Sequence, residues 1–346
     1  VNWILIAGIV AAVLCVDLCI RLYFARFVLR IFETPLPLHG IPSTPDEDAE
    51  RVEFSTANGL RLRGSLHWPA NGPPQGLVIF CPELNGCHWS ATSYCAGPLQ
   101  NGIAVLSFDF RNHGDSDHEK GYVPLHWLTD RELADVQAAV SYARSRGDLQ
   151  KLPMAMMGVS RGAGAALAVA AQDAGIDCVA VEGAFSTASL HEFYATRWAS
   201  MYIPPWLYRW LPRWHINVTL AMSRWMSSIH RRCRYPRLES LLPRLRNRPV
   251  LIIAGKRDSY VPIDISQRLA ERIGGENCEF WAVPTAKHNR ARSACPGLYD
   301  AKVYELFSMM LPAEDRVRPL DAEPMEELGD ERVAASDHHP LPTGAK

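Results

Sequence analysis

The stretch Met154-Ala155-Met156-Met157-Gly158-Val159-Ser160-Arg161-Gly162 decides how this chain is read. Its first four residues are continuously apolar, as expected of a short strand covered on both faces. The run Ala163–Ala171 that follows is alanine-rich and reads as a helix. Between them lies the pattern G-x-S-x-G. A serine there sits on a strained strand-to-helix turn that projects its hydroxyl, and the flanking glycines avoid conflict with neighbouring backbone. The backbone N–H of Arg161 then points to where an oxyanion would form, at the positive end of the helix. Alone, the pattern is a modest signal that also fits a structural serine in a tight turn. Its position between strand and helix favours a nucleophile.

A serine nucleophile needs a base and an acid to orient it. The apolar run Leu251–Ala254 leads into Gly255-Lys256-Arg257-Asp258, and His288 lies beyond another apolar segment in Pro284-Thr285-Ala286-Lys287-His288-Asn289. His288 is the expected base, taking the Ser160 proton and returning it to the leaving group. Asp258 is expected to hold the imidazole in the right tautomer and stabilise its cation. Taken singly, an Asp after a strand is commonly a turn former and a lone His commonly sits on the surface. Jointly, each at the end of a strand, they read as a triad. Glu182, at the end of the segment Cys178–Val181, is the alternative acid.

The surrounding chain alternates in the same way. Arg51–Phe54 and Leu60–Leu66 flank Asn58-Gly59, a hairpin signal because both turn residues tolerate positive φ. Leu77–Phe80, Ile103–Leu106, Cys178–Val181, Val250–Ala254 and Phe280–Val283 are further buried strands, with helical segments between most of them. Thr129 and Glu132 form a capping box ahead of the helical face Leu133, Val136, Val140 and Ala143. The fold class is α/β, with a mostly parallel central sheet flanked by helices. From Phe185 to Leu245 the rhythm stops. Trp198, Tyr202, Trp206, Tyr208, Trp210, Trp214 and Trp225 crowd there with several prolines, which predicts a helical cap whose aromatics line an apolar cleft.

The ends differ from the middle. Trp3–Ile20 is apolar except for Asp17, and Arg21, Arg26 and Arg30 follow. This predicts an N-terminal membrane helix continued by an interfacial segment, with a cleaved signal peptide as the rival. The arginines after the span place the body of the protein on the cytoplasmic side, and unpaired cysteines agree. The sequon Asn217-Val218-Thr219 points the other way. The expected organisation is an anchor and juxtamembrane segment over residues 1–33 and a linker over 34–50. A catalytic domain follows over 51–311, with its cap at about 185–245, and a disordered tail over 312–346.

Composition narrows the function classes. With 36 basic and 37 acidic residues the formal charge is −1, which argues against a nucleic-acid partner. The nine cysteines are scattered and form no CxxC pair, so neither a disulfide scaffold nor a structural zinc site is expected. Neither a cofactor nor a metal is expected: no GxGxxG follows a strand, and Walker and HExxH patterns are missing.

With these residues in place, the segment from about Arg51 to Leu311 resembles the α/β-hydrolase superfamily. The likeness is nearest to membrane-anchored α/β-hydrolase-domain proteins, whose relatives include bacterial serine hydrolases and eukaryotic lipid thioesterases. Asp109-Phe110-Arg111-Asn112-His113-Gly114-Asp115-Ser116 is similar to that family's D-x-R-G-H-G-x-S turn. The resemblance makes the turn structural and His113 a scaffold residue, and it favours Asp258 over Glu182 as the acid. It also implies an oxyanion hole built from the N–H of Arg161 and one from the loop after the third strand. That loop departs from the family's His-Gly and reads Cys81-Pro82-Glu83-Leu84-Asn85-Gly86. Pro82 has no N–H, so the second donor falls to Glu83 or Leu84. The implied function is a serine hydrolase cleaving a carboxylic ester or thioester, with an apolar acyl group, through an acyl-enzyme. Alternatives are a peptidase or acyltransferase on the same fold and, given the unusual loop, a non-catalytic binding protein. The expected partners are a small-molecule or lipid-like acyl substrate and, through the N-terminal helix, the membrane.

Overall fold

The computed structural model describes residues 2–37, 40–202, 204, 206 and 212–316. Eight strands form a single sheet: β1 (Glu50–Ser55), β2 (Arg61–His67), β3 (Gly76–Cys81), β4 (Ile103–Phe108), β5 (Met154–Val159), β6 (Cys178–Glu182), β7 (Val250–Gly255) and β8 (Cys278–Val283). Their spatial order is β1-β2-β4-β3-β5-β6-β7-β8. The Asn58-Gly59 turn joins β1 and β2 as an antiparallel hairpin with Phe54 opposite Leu62, and Gly59 takes a positive φ of 82°. From β4 to β8 every pairing is parallel. All residues of β3, β4, β5, β6 and β7 are buried, as their unbroken apolar runs require.

Alternation along β5 divides the core. Met154 and Met156 face a cluster with the helices Asp130–Ser145 and Arg161–Ala170, while Ala155 and Met157 face the helix Pro296–Ser308. The Thr129–Glu132 capping box starts the first of these helices as expected: the Glu132 carboxylate accepts the Thr129 N–H at 2.9 Å. Parallel register brings the strand ends level, with Cys81 beside Gly158, Val159 beside Glu182 and Gly255 beside Val283. Loops leaving this carboxyl edge are therefore neighbours, and binding residues collect there.

Two features sit outside the sheet. Between β6 and β7 the described residues contain no strand; the helices Thr187–Tyr202 and Arg213–Arg231 occupy the predicted insertion. At the N-terminus, α1 (Trp3–Glu33) runs 31 residues, and its most apolar window has a mean hydropathy of 2.6. At about 1.5 Å per residue such a helix is some 46 Å long, enough to cross a bilayer. One face of its second half packs on the helix Arg213–Arg231, and its last turn enters the core. Phe32 is fully buried, its ring stacked at 4.5 Å on Trp127 and edge-on at 5.0 Å to Tyr235. The indole of Trp127 donates to the Phe32 carbonyl at 2.6 Å. Phe32→Ala is expected to cost about 3–5 kcal/mol of stability. Urea unfolding of detergent-solubilised protein checks this, and an unchanged midpoint would show that the stack bears no load.

The tail expected over 312–346 is described only to Arg316, where Ala313–Asp315 forms one 3-10 turn; residues 317–346 lie outside the described residues.

Candidate active site

Ser160 stands between β5 and its helix at φ 53°, ψ −115°, a region that L-residues avoid. Such a conformation costs on the order of 1–3 kcal/mol and persists only when neighbours hold it. Two neighbours do. The Ser160 N–H donates to the Glu182 carbonyl at 2.8 Å, tying the turn to β6. A methyl group on Gly162 would lie 2.2 Å from the Cys81 carbonyl oxygen, and one on Gly158 would lie 2.4 Å from that of Gly162. Only glycine allows the elbow to press this closely on β3.

The three residues singled out in the sequence come together here. His288 Nε2 lies 2.9 Å from Ser160 Oγ, and His288 Nδ1 lies 2.6 Å from Asp258 Oδ2. The second oxygen of Asp258 accepts the N–H groups of Tyr260 and Val261, each at 2.8 Å, so the carboxylate cannot swing away from the ring. With Nδ1–H donating to Asp258, the lone pair of Nε2 faces the serine hydroxyl, as proton abstraction requires.

The Glu182 carboxylate is hydrogen-bonded elsewhere than to His288. One of its oxygens accepts the Ala291 N–H and the other the Tyr299 hydroxyl, both at 2.8 Å. It thus fixes the loop that carries His288. Full burial, the dominant influence, pushes its pKa up from 4.5 to about 7. The folded protein therefore holds this proton more tightly than the unfolded chain. The stability this gives is complete below pH 4.5 and is lost as pH rises to about 7, by about 3 kcal/mol in all. Glu182→Gln keeps an acceptor for Ala291 and a partner for Tyr299, so it is expected to flatten the fall between those pH values. Denaturation midpoints measured across the window decide this, and an unaltered slope would assign the titration elsewhere.

Of the expected oxyanion donors, Arg161 follows Ser160 directly in the chain. Arg161 opens its helix, so its N–H has no acceptor within the helix. Its side chain turns away and is buried, with Nη2 3.2 Å from His113 Nε2 and Nη1 3.2 Å from the Leu125 carbonyl. Glu83 and Leu84 both line the pocket beside Ser160. The Glu83 carboxylate is itself buried and accepts the Ile41 N–H at 2.9 Å; burial raises its pKa.

The Asp109–Ser116 turn meets the elbow where His113 faces the Arg161 guanidinium. Asp109 accepts the N–H groups of His88 at 2.7 Å and Asp115 at 2.8 Å, which closes the turn. Asn112 takes φ 63° where the family pattern has glycine, a conformation Asn tolerates. His113 is held by the Arg111 carbonyl at 2.9 Å, and burial together with the Arg161 charge lowers its pKa to about 3. Among the described residues, His88, Asp109 and Asp115 are the group that could hold a metal ion, but both Asp109 oxygens already accept backbone N–H groups.

The pocket above Ser160 measures about 230 Å³ and corrects one expectation. Its apolar wall is made by Pro37, Ile41, Leu84 and Tyr260, with Lys287 and Arg290 also lining it, and among the described residues no tryptophan of the insertion does. Trp206, Trp214 and Trp225 are instead 62–65% exposed; Tyr208 and Trp210 lie outside the described residues. The segment read as a linker was missed as pocket wall. Nothing in Pro37 or Ile41 by itself signals a site; only the path of the chain over the Cys81–Cys87 loop puts them there.

Known proteins carry the same frame. A Pyrococcus furiosus esterase structure superposes with a TM-score of 0.56 at 20% identity, covering 80% of this chain and 99% of that one. An uncharacterized protein of Mycobacterium tuberculosis is 26% identical over 253 residues, 73% of this chain and 75% of its own. A thiohydrolase of Aspergillus aculeatus is 32% identical over 124 residues; the matched region is 35% of this chain and only 37% of the thiohydrolase. The model of the alpha/beta hydrolase family matches residues 78–305, a span that takes in β3 to β8 and the positions of Ser160, Asp258 and His288. With the sheet order and the serine elbow, that match makes this chain a member of the alpha/beta hydrolase family.

Proposed function

We propose that the protein is a serine hydrolase that cleaves a carboxylic ester or thioester at a membrane surface. The observation that carries this reading is the continuous line Asp258–His288–Ser160, at 2.6 and 2.9 Å, opening into a pocket. In the first half-reaction Ser160 Oγ attacks the acyl carbon while His288 Nε2 takes its proton. Asp258 stabilises the imidazolium, and the Arg161 N–H with one from Glu83 or Leu84 receives the negative charge on the former carbonyl oxygen. The tetrahedral intermediate then collapses; His288 protonates the departing alcohol or thiol, and the acyl group stays on Ser160. Water, deprotonated by His288, attacks the acyl-enzyme and releases the acid.

An acyl group of apolar character is favoured by Pro37, Ile41, Leu84 and Tyr260, and a thioester by the likeness to a thiohydrolase. The membrane part rests on α1, whose apolar length suits an anchor, and the exposed Arg26 and Arg30 near its end favour a cytoplasmic catalytic body by the positive-inside preference. Since Pro37 lies four residues past the end of α1, the pocket mouth is near the bilayer. A panel of short- and long-chain esters, thioesters and aminoacyl amides, assayed with purified full-length protein, tests the reaction class. Turnover of esters or thioesters is expected; turnover of amides alone would make the protein a peptidase.

A further inference from the structure

The helix Arg213–Arg231 carries an exposed apolar stripe that the catalytic reading does not use. Trp214 is 62% exposed, Val218 46%, Trp225 63% and Ile229 58%, at spacings of four, seven and four residues that keep one face of the helix. The opposite face, with Leu220, Ser223 and Ser227, is buried. A helix of the cap with a polar environment on all sides would not present two tryptophans to water.

The contacts with α1 fix what lies beside this stripe. Arg21 of α1 donates to the His215 carbonyl at 3.2 Å, and its guanidinium lies over the Trp214 ring at 4.9 Å. At the other end Ser227 donates to Glu33 at 2.8 Å. The two helices therefore run side by side in the same direction, with Trp214 level with the Arg21 end of the packed segment and Ile229 beyond Glu33. On α1 the exposed apolar surface does not stop at Arg21; it continues through Tyr23, Phe24 and Phe27. From Trp3 to Phe27 this surface is about 36 Å long, more than a hydrocarbon core of about 30 Å. Its last turn, Phe24 to Phe27, then lies in the headgroup layer with Val218 alongside it, and Trp214, level with Arg21, lies at the inner edge of that layer. Exposed Arg26 stands beside these turns, where anionic headgroups would meet it.

We propose that the first turns of the helix Arg213–Arg231, through Trp214 and Val218, form a second membrane contact in the headgroup layer beside α1. The tryptophan and its neighbours Tyr23 and Phe24 then act as an interfacial aromatic belt. Two adjoining helices hold the cap at a fixed rotation over the bilayer, whereas a single anchor would let it spin. Trp225 and Ile229, farther along a helix that rises about 22 Å from Trp214 to Ile229, leave the headgroup layer.

This inference rests on reading α1 as a membrane anchor, and the test separates the two. An environment-sensitive fluorophore is placed on Val218→Cys or Ile229→Cys in the full chain with Cys15 and Cys19 replaced by alanine. The proteins are reconstituted into phosphatidylcholine–phosphatidylglycerol vesicles, floated, and quenched with a lipid carrying a nitroxide at the headgroup. Flotation with roughly half of the emission lost at position 218 and little at 229 is expected. Flotation without quenching at either position overturns the second contact and leaves the anchor standing. Equal quenching at both positions overturns the upright geometry, and quenching replaced by a dependence on protein concentration assigns the stripe to a second copy of the chain. Failure to float removes both the contact and the anchor, while hydrolysis of a water-soluble ester by the same samples reports on the catalytic reading independently.

Discussion

Ser160→Ala is expected to lower turnover of every accepted ester or thioester by about 10⁶-fold, to what binding and backbone donors alone provide. The reason is chemical: without Oγ no acyl-enzyme forms, and water must attack the substrate directly. The substitution removes one oxygen from a buried elbow whose backbone is held by Glu182 and the two glycines, so the fold should be retained. A loss in kcat with KM little changed is the expected signature. Residual turnover above about one part in a hundred would mean that another residue supplies the nucleophile.

The second large effect belongs to Asp258→Asn, with an expected fall in kcat of about 10⁴-fold. Asp258 accepts three hydrogen bonds, from the Tyr260 and Val261 N–H groups and from His288 Nδ1. An amide at this position can keep the backbone contacts through its oxygen and then offers its NH₂ to His288. The ring must answer with an Nδ1 lone pair, which moves the proton to Nε2 and turns a donor toward Ser160. Geometry survives while the tautomer is wrong. Steady-state kinetics should find the loss in kcat, with the unfolding midpoint close to wild type. A fall of less than about tenfold would show that His288 is oriented by something else, and Glu182 would return as the acid to test.

Much of this was legible before any coordinates. The strand runs, the Asn58-Gly59 hairpin and the Thr129–Glu132 capping box are local signals, set by side-chain alternation and by turn or cap chemistry acting within a few residues. Ser160 was legible because an elbow needs glycines at fixed offsets. Asp258 and His288 followed because parallel strands end at a common edge, so residues just past β7 and β8 meet the elbow whatever lies between.

What failed to come through was tertiary. Tryptophan density between Phe185 and Leu245 suggested a cleft lining, yet Trp214 and Trp225 point outward because the helix that bears them buries Leu220, Ser223 and Ser227 on its other side. Periodicity identifies two faces but not which of them meets a partner. Likewise Pro37 and Ile41 lie in a proline-containing stretch with no pattern of its own. They reach the pocket because Phe32 pins the end of α1 against Trp127, and Ile41 bonds to Glu83. The role of Glu182 was half visible: its place at the end of β6 made it the alternative acid beside Asp258, whereas its carboxylate steadies the histidine loop through Ala291 and Tyr299.

The central claim is that Ser160 is a nucleophile activated by His288, and a fluorophosphonate probe tests it most directly. Folded full-length protein in detergent should take up one probe per chain, located on Ser160 by peptide mass spectrometry, and His288→Ala should suppress the reaction with folding retained. Folded, accessible protein that stays unlabelled, or that carries the label on a different residue, would contradict the account.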